Sequence, residues 1–278
     1  MGLFDRLRVH SERPAGAPVS TTLAPPPPLM AVPDVDDEAG VLHGDVRAHL
    51  ERLTEAAETD IDRLDHSAFE AALTSRLVGA ERIQSTGLGF SYASPFATHL
   101  HEVLTLDLPT AVVTLPDDRV QESGMRLPKL MDRARRNLCT LMHSVPAEVM
   151  RVGDGSRSVT AVMSDSPYTA SFARFLADAV ELWTPGADQG GGIVFALPHR
   201  HAVVFQVCAT PQQTRDALDL VPLQAEAMQA DGLTPVSPHV YHWLDRRITC
   251  LTTENTDGSL RLGTTPELDS LMGLRRAV

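Results

Sequence analysis

The sequence predicts an α+β fold: a mixed, largely antiparallel sheet with helices packed on it, preceded by a disordered Pro-rich N-terminal tail. Short apolar runs follow one another with only brief Gly, Pro or Asp turns between them, the pattern of strands joined as neighbours. Stripes of helical period lie between groups of these runs, so helices and strands share one layer system. The front of the chain is unlike the rest. It holds Pro14, Pro18, Pro25 to Pro28 and Pro33, then Asp34, Asp36, Asp37 and Glu38. Such a segment cannot bury enough apolar surface to offset the entropy of ordering it.

The expected division is a tail over 1–40, one α+β domain over 41–265 and a C-terminal tail over 266–278. Within the domain a helical part covers 41–80 and a sheet-containing core 86–253. Leu42, Val46, Leu50, Leu53 and Ala57 recur at helical spacing. A second helix, capped by Asp65 or Ser67, carries Phe69, Leu73 and Leu77 and closes at Gly79. Strands are expected at Gly87–Tyr92, Val103–Leu108 and Ala111–Leu115, with Pro109 and Pro116 as breaks and a short helical turn from Asp117 or Asp118.

Residues 126–143 have the strongest helical pattern, an apolar stripe of Leu127, Leu130, Met131, Ala134, Leu138, Leu141 and Met142. A hairpin around Gly153-Asp-Gly155 joins strands 148–152 and 159–163. Helix 168–183, strands 192–197 and 202–208, and a helix from Pro211 to Met228 follow. Pro222 should kink or split that last helix. A hairpin of 240–244 with 248–252 closes the domain.

Composition narrows the function classes. In 278 residues the hydrophobic fraction is 43%, the charged fraction 22% and the net charge −12, which is ordinary for a globular chain but acidic. An acidic surface disfavours nucleic-acid backbones and anionic lipid, so neither nucleic acid nor membrane is an expected partner. No run reaches the length of a membrane helix, and the Met1–Arg8 segment lacks the apolar stretch of a secretory signal; the expected location is cytoplasmic. The tail tip, Leu3-Phe4-Leu7, reads as a frayed terminus or as a peptide that docks to a protein partner. The three cysteines, Cys139, Cys208 and Cys250, are scattered in apolar patterns and read as buried thiols.

Four short motifs occur in order: Leu106-Asp-Leu108, Arg136-Asn137-Leu138 closing the stripe from Ala134, Asp165-x-x-Tyr168-x-Ala170-Ser171, and Val194-Phe-Ala-Leu-Pro198-His199-Arg200. Their succession over about residues 100–245 resembles a YtpQ-like bacterial family of unknown function. The chain departs from that pattern at His201, where the family usually carries an Asp able to pair with the preceding Arg. The resemblance implies the fold and the region of the site; it carries no activity.

The candidate binding residues are Asp165, Tyr168, Ser171, His199, Arg200 and His201. They gather where elements meet. Asp165 or Ser166 can cap the following helix, or Asp165 and Tyr168 can face a cleft with His199 and Arg200. If the strands at 159–163 and 192–197 run parallel, their ends and these residues share one edge. Ser171 lacks the Gly-x-Ser-x-Gly elbow of a hydrolase nucleophile. Arg200 can hold an anionic group bidentately or bridge to an acid. His199 and His201 project to one side of an extended chain. His99, His101, His239 and His242 add imidazoles, yet no metal ligand set is expected, because further ligands at diagnostic spacing are missing. Gly190-Gly191-Gly192 precedes a strand, not a helix, so it reads as a flexible turn and no nucleotide cofactor follows from it. The expected function is a non-enzymatic binding or regulatory module. The alternative is a hydrolase or transferase acting on an anionic small molecule.

Overall fold

The computed structural model describes residue 61 and residues 63–109, 111–154, 157–231 and 234–274. The Pro-rich tail and the helix expected at 41–57 lie outside the described residues. The first described helix, α1 (His66–Ala72), has Asp65 as its cap, whose Oδ1 accepts from the Ala68 N–H at 2.8 Å. Here the expected helix ends. The chain enters strand β1 (Leu73–Gly79), buried on both faces and paired antiparallel with β3 (Leu100–Asp107) from Leu73↔Leu106 to Gly79↔Leu100. The Leu73/Leu77 spacing that suggests a helix is overridden by a ladder that only the later strand β3 can supply.

A short helix α2 (Ala80–Ser85) follows. The strand expected at Gly87–Tyr92 is instead a run of turns. Gly87 sits at φ 69°, and the segment is pinned from outside. Tyr92 donates its hydroxyl proton to the Leu115 carbonyl at 2.5 Å, and Asp117 accepts from the Ser91 N–H at 3.0 Å. Strands β2 (Ser94–Ala97) and β4 (Val112–Thr114) both pair with the far edge of β3, completing a four-stranded sheet. Helices α3 (Asp117–Glu122) and α4 (Leu127–Ser144) come next. The apolar stripe of α4 seals Leu130, Met131 and Ala134 against Leu73, Leu104 and Leu106.

The second sheet has six strands, ordered β10-β9-β7-β8-β6-β5. They are β5 (Glu148–Asp154), β6 (Arg157–Met163), β7 (Ile193–Ala196), β8 (Ala202–Val207), β9 (Val240–Leu244) and β10 (Arg247–Cys250). Every strand pairing among the described residues is antiparallel. The fold is therefore α+β with antiparallel sheets, not a single mixed one. Because β6 and β7 are each antiparallel to β8, they run in the same direction with β8 between them.

The expected helix 168–183 is two pieces, a 3₁₀ helix (Thr169–Phe175) and α5 (Leu176–Trp183), broken where Phe175 adopts φ −121° and ψ 45°. The 3₁₀ helix lies against β1 of the first sheet and β8 of the second. Helix α6 (Pro211–Asp231) packs on β6, β7 and β8 and continues through Pro222. Gly190 and Gly191 form the expected turn, and it is closely packed. A Cβ on Gly191 would collide with the Cys208 carbonyl, and Gly192, at φ 86°, lies against His242 and Trp243. A hairpin of β11 (Thr252–Glu254) and β12 (Leu260–Leu262) leads to α7 (Pro266–Leu271). The segment read as a C-terminal tail thus begins as a helix, capped by Thr265 and anchored by fully buried Leu268.

Candidate functional site

The common direction of β6 and β7 brings their outgoing loops to one edge of the six-stranded sheet. Backbone hydrogen bonds join them: Ser164 N–H to the His201 carbonyl at 3.2 Å, and Ala170 N–H to the Arg200 carbonyl at 3.1 Å. The loop after β6 is fixed internally by hydroxyls. Ser164 Oγ lies 2.5 Å from Thr169 Oγ1 and accepts from the Ser166 N–H at 3.1 Å; Ser166 Oγ accepts from the Tyr168 N–H at 3.2 Å. Ser166 therefore takes the capping role that Asp165 was expected to share. The Asp165 side chain is exposed, with no hydrogen bond or ion pair among the described residues.

Tyr168 and Ser171 belong to the interior, contrary to their reading as binding groups. Tyr168 is sealed among Leu138, Met142, Phe172 and Ala179, with its hydroxyl 3.4 Å from Thr105 Oγ1. Burial pushes its pKa up to about 12. Ser171 is buried and its Oγ accepts from the Leu77 N–H at 3.0 Å, which satisfies a donor on the outer edge of β1. A serine here serves a backbone group of another strand, a role no local motif reveals.

The turn from His199 to His201 is the polar part of the junction. His199 is buried and its Nδ1 accepts from the His201 N–H at 3.3 Å. Burial, then the neighbouring His201 and Arg200, push its pKa down to about 4, so the ring is neutral at physiological pH. Arg200 is half-buried; its Nε donates to His201 Nε2 at 2.8 Å. That bond puts the His201 proton on Nδ1, which is sealed without a hydrogen-bond partner among the described residues. The carbonyls of Ser164 and Ser166 lie close enough to favour the charged ring, yet burial and the Arg200 charge hold the His201 pKa below its ordinary value. His201 thus fixes Arg200 without neutralising it, as an Asp at that position would.

Arg76 on β1 is the residue that sequence reading missed. Three charged side chains of the carboxylate and guanidinium types are buried among the described residues: Arg76, Glu102 and Asp216. Glu102 is gripped bidentately by Arg135 at 2.9 and 2.6 Å and touched by Arg174 at 3.3 Å. Asp216 accepts from Arg157 at 3.0 Å and from Gln212 at 2.8 Å. Arg76 has no such partner among the described residues, and its Nε is sealed there without a hydrogen bond. Burial, and then the charges of Arg82 and Arg200, push its pKa down to about 10. The only sequence signal for it is an arginine between Ser75 and Leu77 in a run that a helix reading assigns to a solvated face.

Two further spaces flank this junction. A cleft of about 840 Å³ is lined by Glu102, Arg135, Arg174, Phe96, Phe175 and Trp243. A pocket of about 430 Å³ is lined by Gly79, Arg82, His99, Pro235, Val236 and His239. In it the rings of His99 and His239 stack at 4.1 Å, a parallel arrangement that aims no shared lone pairs at one point. Among the described residues no three His, Cys, Asp or Glu side chains converge to hold a metal ion. Nor is any helix there long and apolar enough to cross a membrane. Burial pushes the Cys208 thiol up to about 11, which makes it a packing group and not a nucleophile. No family model, no curated protein and no solved structure matches the chain.

Proposed function

We propose that this chain is a non-enzymatic binding module of the cytoplasm that docks an anionic ligand at the junction of the β6 and β7 loops. The carrying observation is Arg200. It is half-buried, held through Nε by a neutral imidazole, and paired with no acid among the described residues, although acids outnumber bases in the chain by 12. A guanidinium so held keeps its terminal N–H groups for a planar or tetrahedral anion. The alternative, a hydrolase or transferase acting on an anionic small molecule, needs a proton acceptor within reach of a nucleophile. Tyr168 and Ser171 are committed to interior hydrogen bonds, and His199 is sealed. The succession of motifs shared with the YtpQ-like family is compatible with this reading and is kept as a proposal of kinship.

A thermal-shift screen against small molecules sorted by charge tests the reading. Anionic compounds should raise the melting temperature, and Arg200→Gln should remove that response while the folded spectrum is kept. Hits that ignore Arg200→Gln, or a hit chemically converted by the protein, would overturn it.

A further inference from the structure

We propose that Arg76 and Arg200 together form a binding site for a tetrahedral phosphate-type dianion, with Arg76 as its deep anchor. This rests on the anion-binding reading above and names the ligand class of that site. Two independent ties bring the β1 strand to the β7–β8 turn. Leu77 donates its N–H to Ser171 Oγ, while the adjacent Ala170 donates to the Arg200 carbonyl. Gly79 approaches Val236 so closely that a Cβ there would stand 2.6 Å from the Val236 carbonyl oxygen. Val236 in turn donates to the Pro198 carbonyl at 3.3 Å, and Arg200 donates its N–H to the Thr234 carbonyl at 3.3 Å. Both ties fall within three residues after Arg76, at Leu77 and Gly79, and lead through Ser171, Ala170 and Val236 to the segment that carries Arg200.

Charge supplies the ligand class. A buried guanidinium without a counter-charge is costly, and folded chains pair such groups. Glu102 and Asp216 obey that rule here; Arg76 breaks it, at 5% exposure, with only its Nε sealed off. Arg200 and Arg82 lie near enough to repel it, and neither has an acid partner among the described residues. Arg82 is exposed and screened by solvent, but buried Arg76 and half-buried Arg200 lie near one another without an acid of their own among the described residues, so a doubly charged anion matches the pair. A phosphate monoester or inorganic phosphate carries nearly two negative charges at neutral pH and matches the guanidinium fork. A carboxylate supplies one charge.

The test is calorimetric titration of the full chain with inorganic phosphate and with glycerol phosphate, at constant ionic strength set by chloride, with acetate as the singly charged comparison. Both phosphates should bind and acetate should not. Tighter binding of glycerol phosphate identifies a monoester as the source; equal or weaker binding identifies the free ion. Arg76→Met should abolish binding and raise the melting temperature in phosphate-free buffer, since it removes an unpaired buried charge. Arg200→Gln, a change in a half-buried turn, should weaken binding at least tenfold and keeps the test decisive if Arg76→Met does not fold. Phosphate binding unchanged in Arg76→Met, or in Arg200→Gln when that is the only folded variant, overturns the proposal, as does no phosphate binding in the wild type. If acetate binds through Arg200 and is indifferent to Arg76→Met, the dianion site fails while the anion-binding module stands.

Discussion

His199 shows how one imidazole ties the junction to pH. Its folded pKa, about 4, lies below the unfolded value near 6.5, so the unfolded chain takes up the extra proton first as pH falls. The stability it contributes is complete above about pH 6.5 and is lost as pH falls towards 4. Burial lowers the pKa of His201, His239 and His242 as well, so all four act in the same direction. Urea unfolding between pH 7 and 4.5 should show a loss on the order of 2 kcal/mol through His199 alone. His199→Asn, which keeps an acceptor near Nδ1, should make the pH profile shallower; an equally steep profile would exclude His199 as a source. Ser171 gives a second single-residue test. Ser171→Ala leaves the Leu77 N–H without an acceptor and should cost about 1–3 kcal/mol in chemical denaturation. No loss would mean that this donor finds another partner. The two residues differ in how far they could be read. The His199-Arg200-His201 turn is visible as a polar break between two apolar strands. Ser171 and Arg76 derive their roles from partners roughly a hundred residues away, and no local pattern records those.

At the scale of elements, the strongest local signals survive folding. Helix α4 lies where its apolar stripe predicts, and the Asp65 cap and the β5–β6 hairpin keep their expected places. The misread elements are those whose form depends on a distant partner. β1 is buried on both faces and so lacks the alternation of a half-buried strand, while its leucines fall by chance at helical spacing. Gly87–Tyr92 has the composition of a strand, yet Tyr92 and Asp117 tie it into turns. Glu102 is the clamp between such elements, joining β3 to α4 through Arg135 and to the 3₁₀ helix through Arg174. Burial pushes its pKa up, but the two guanidinium groups more than offset this and hold it below the ordinary value. Glu102→Ala leaves both arginines facing the vacated site and should cost about 3–5 kcal/mol. A loss below about 1 kcal/mol, measured by urea unfolding at pH 7, would place the pair in the class of solvent-screened surface bridges.

For the whole molecule, the informative feature is the meeting of two antiparallel sheets across one short 3₁₀ helix. The fold class could be read from apolar runs and turns. The division of the strands between two sheets could not, because pairing partners are set by long-range packing and not by period. The edge shared by β6 and β7 was legible from connectivity; the contribution of β1 to that edge was hidden by its helical reading. We hold that this junction, with buried Arg76 near Arg200, binds an anion. Amide hydrogen exchange with and without millimolar inorganic phosphate tests it most directly. Exchange should slow at Leu77, Ala170 and Arg200, whose N–H groups bond across the junction, and should not change around the Glu102 cleft. Protection confined to that cleft, or exchange unaffected by phosphate anywhere, would contradict it.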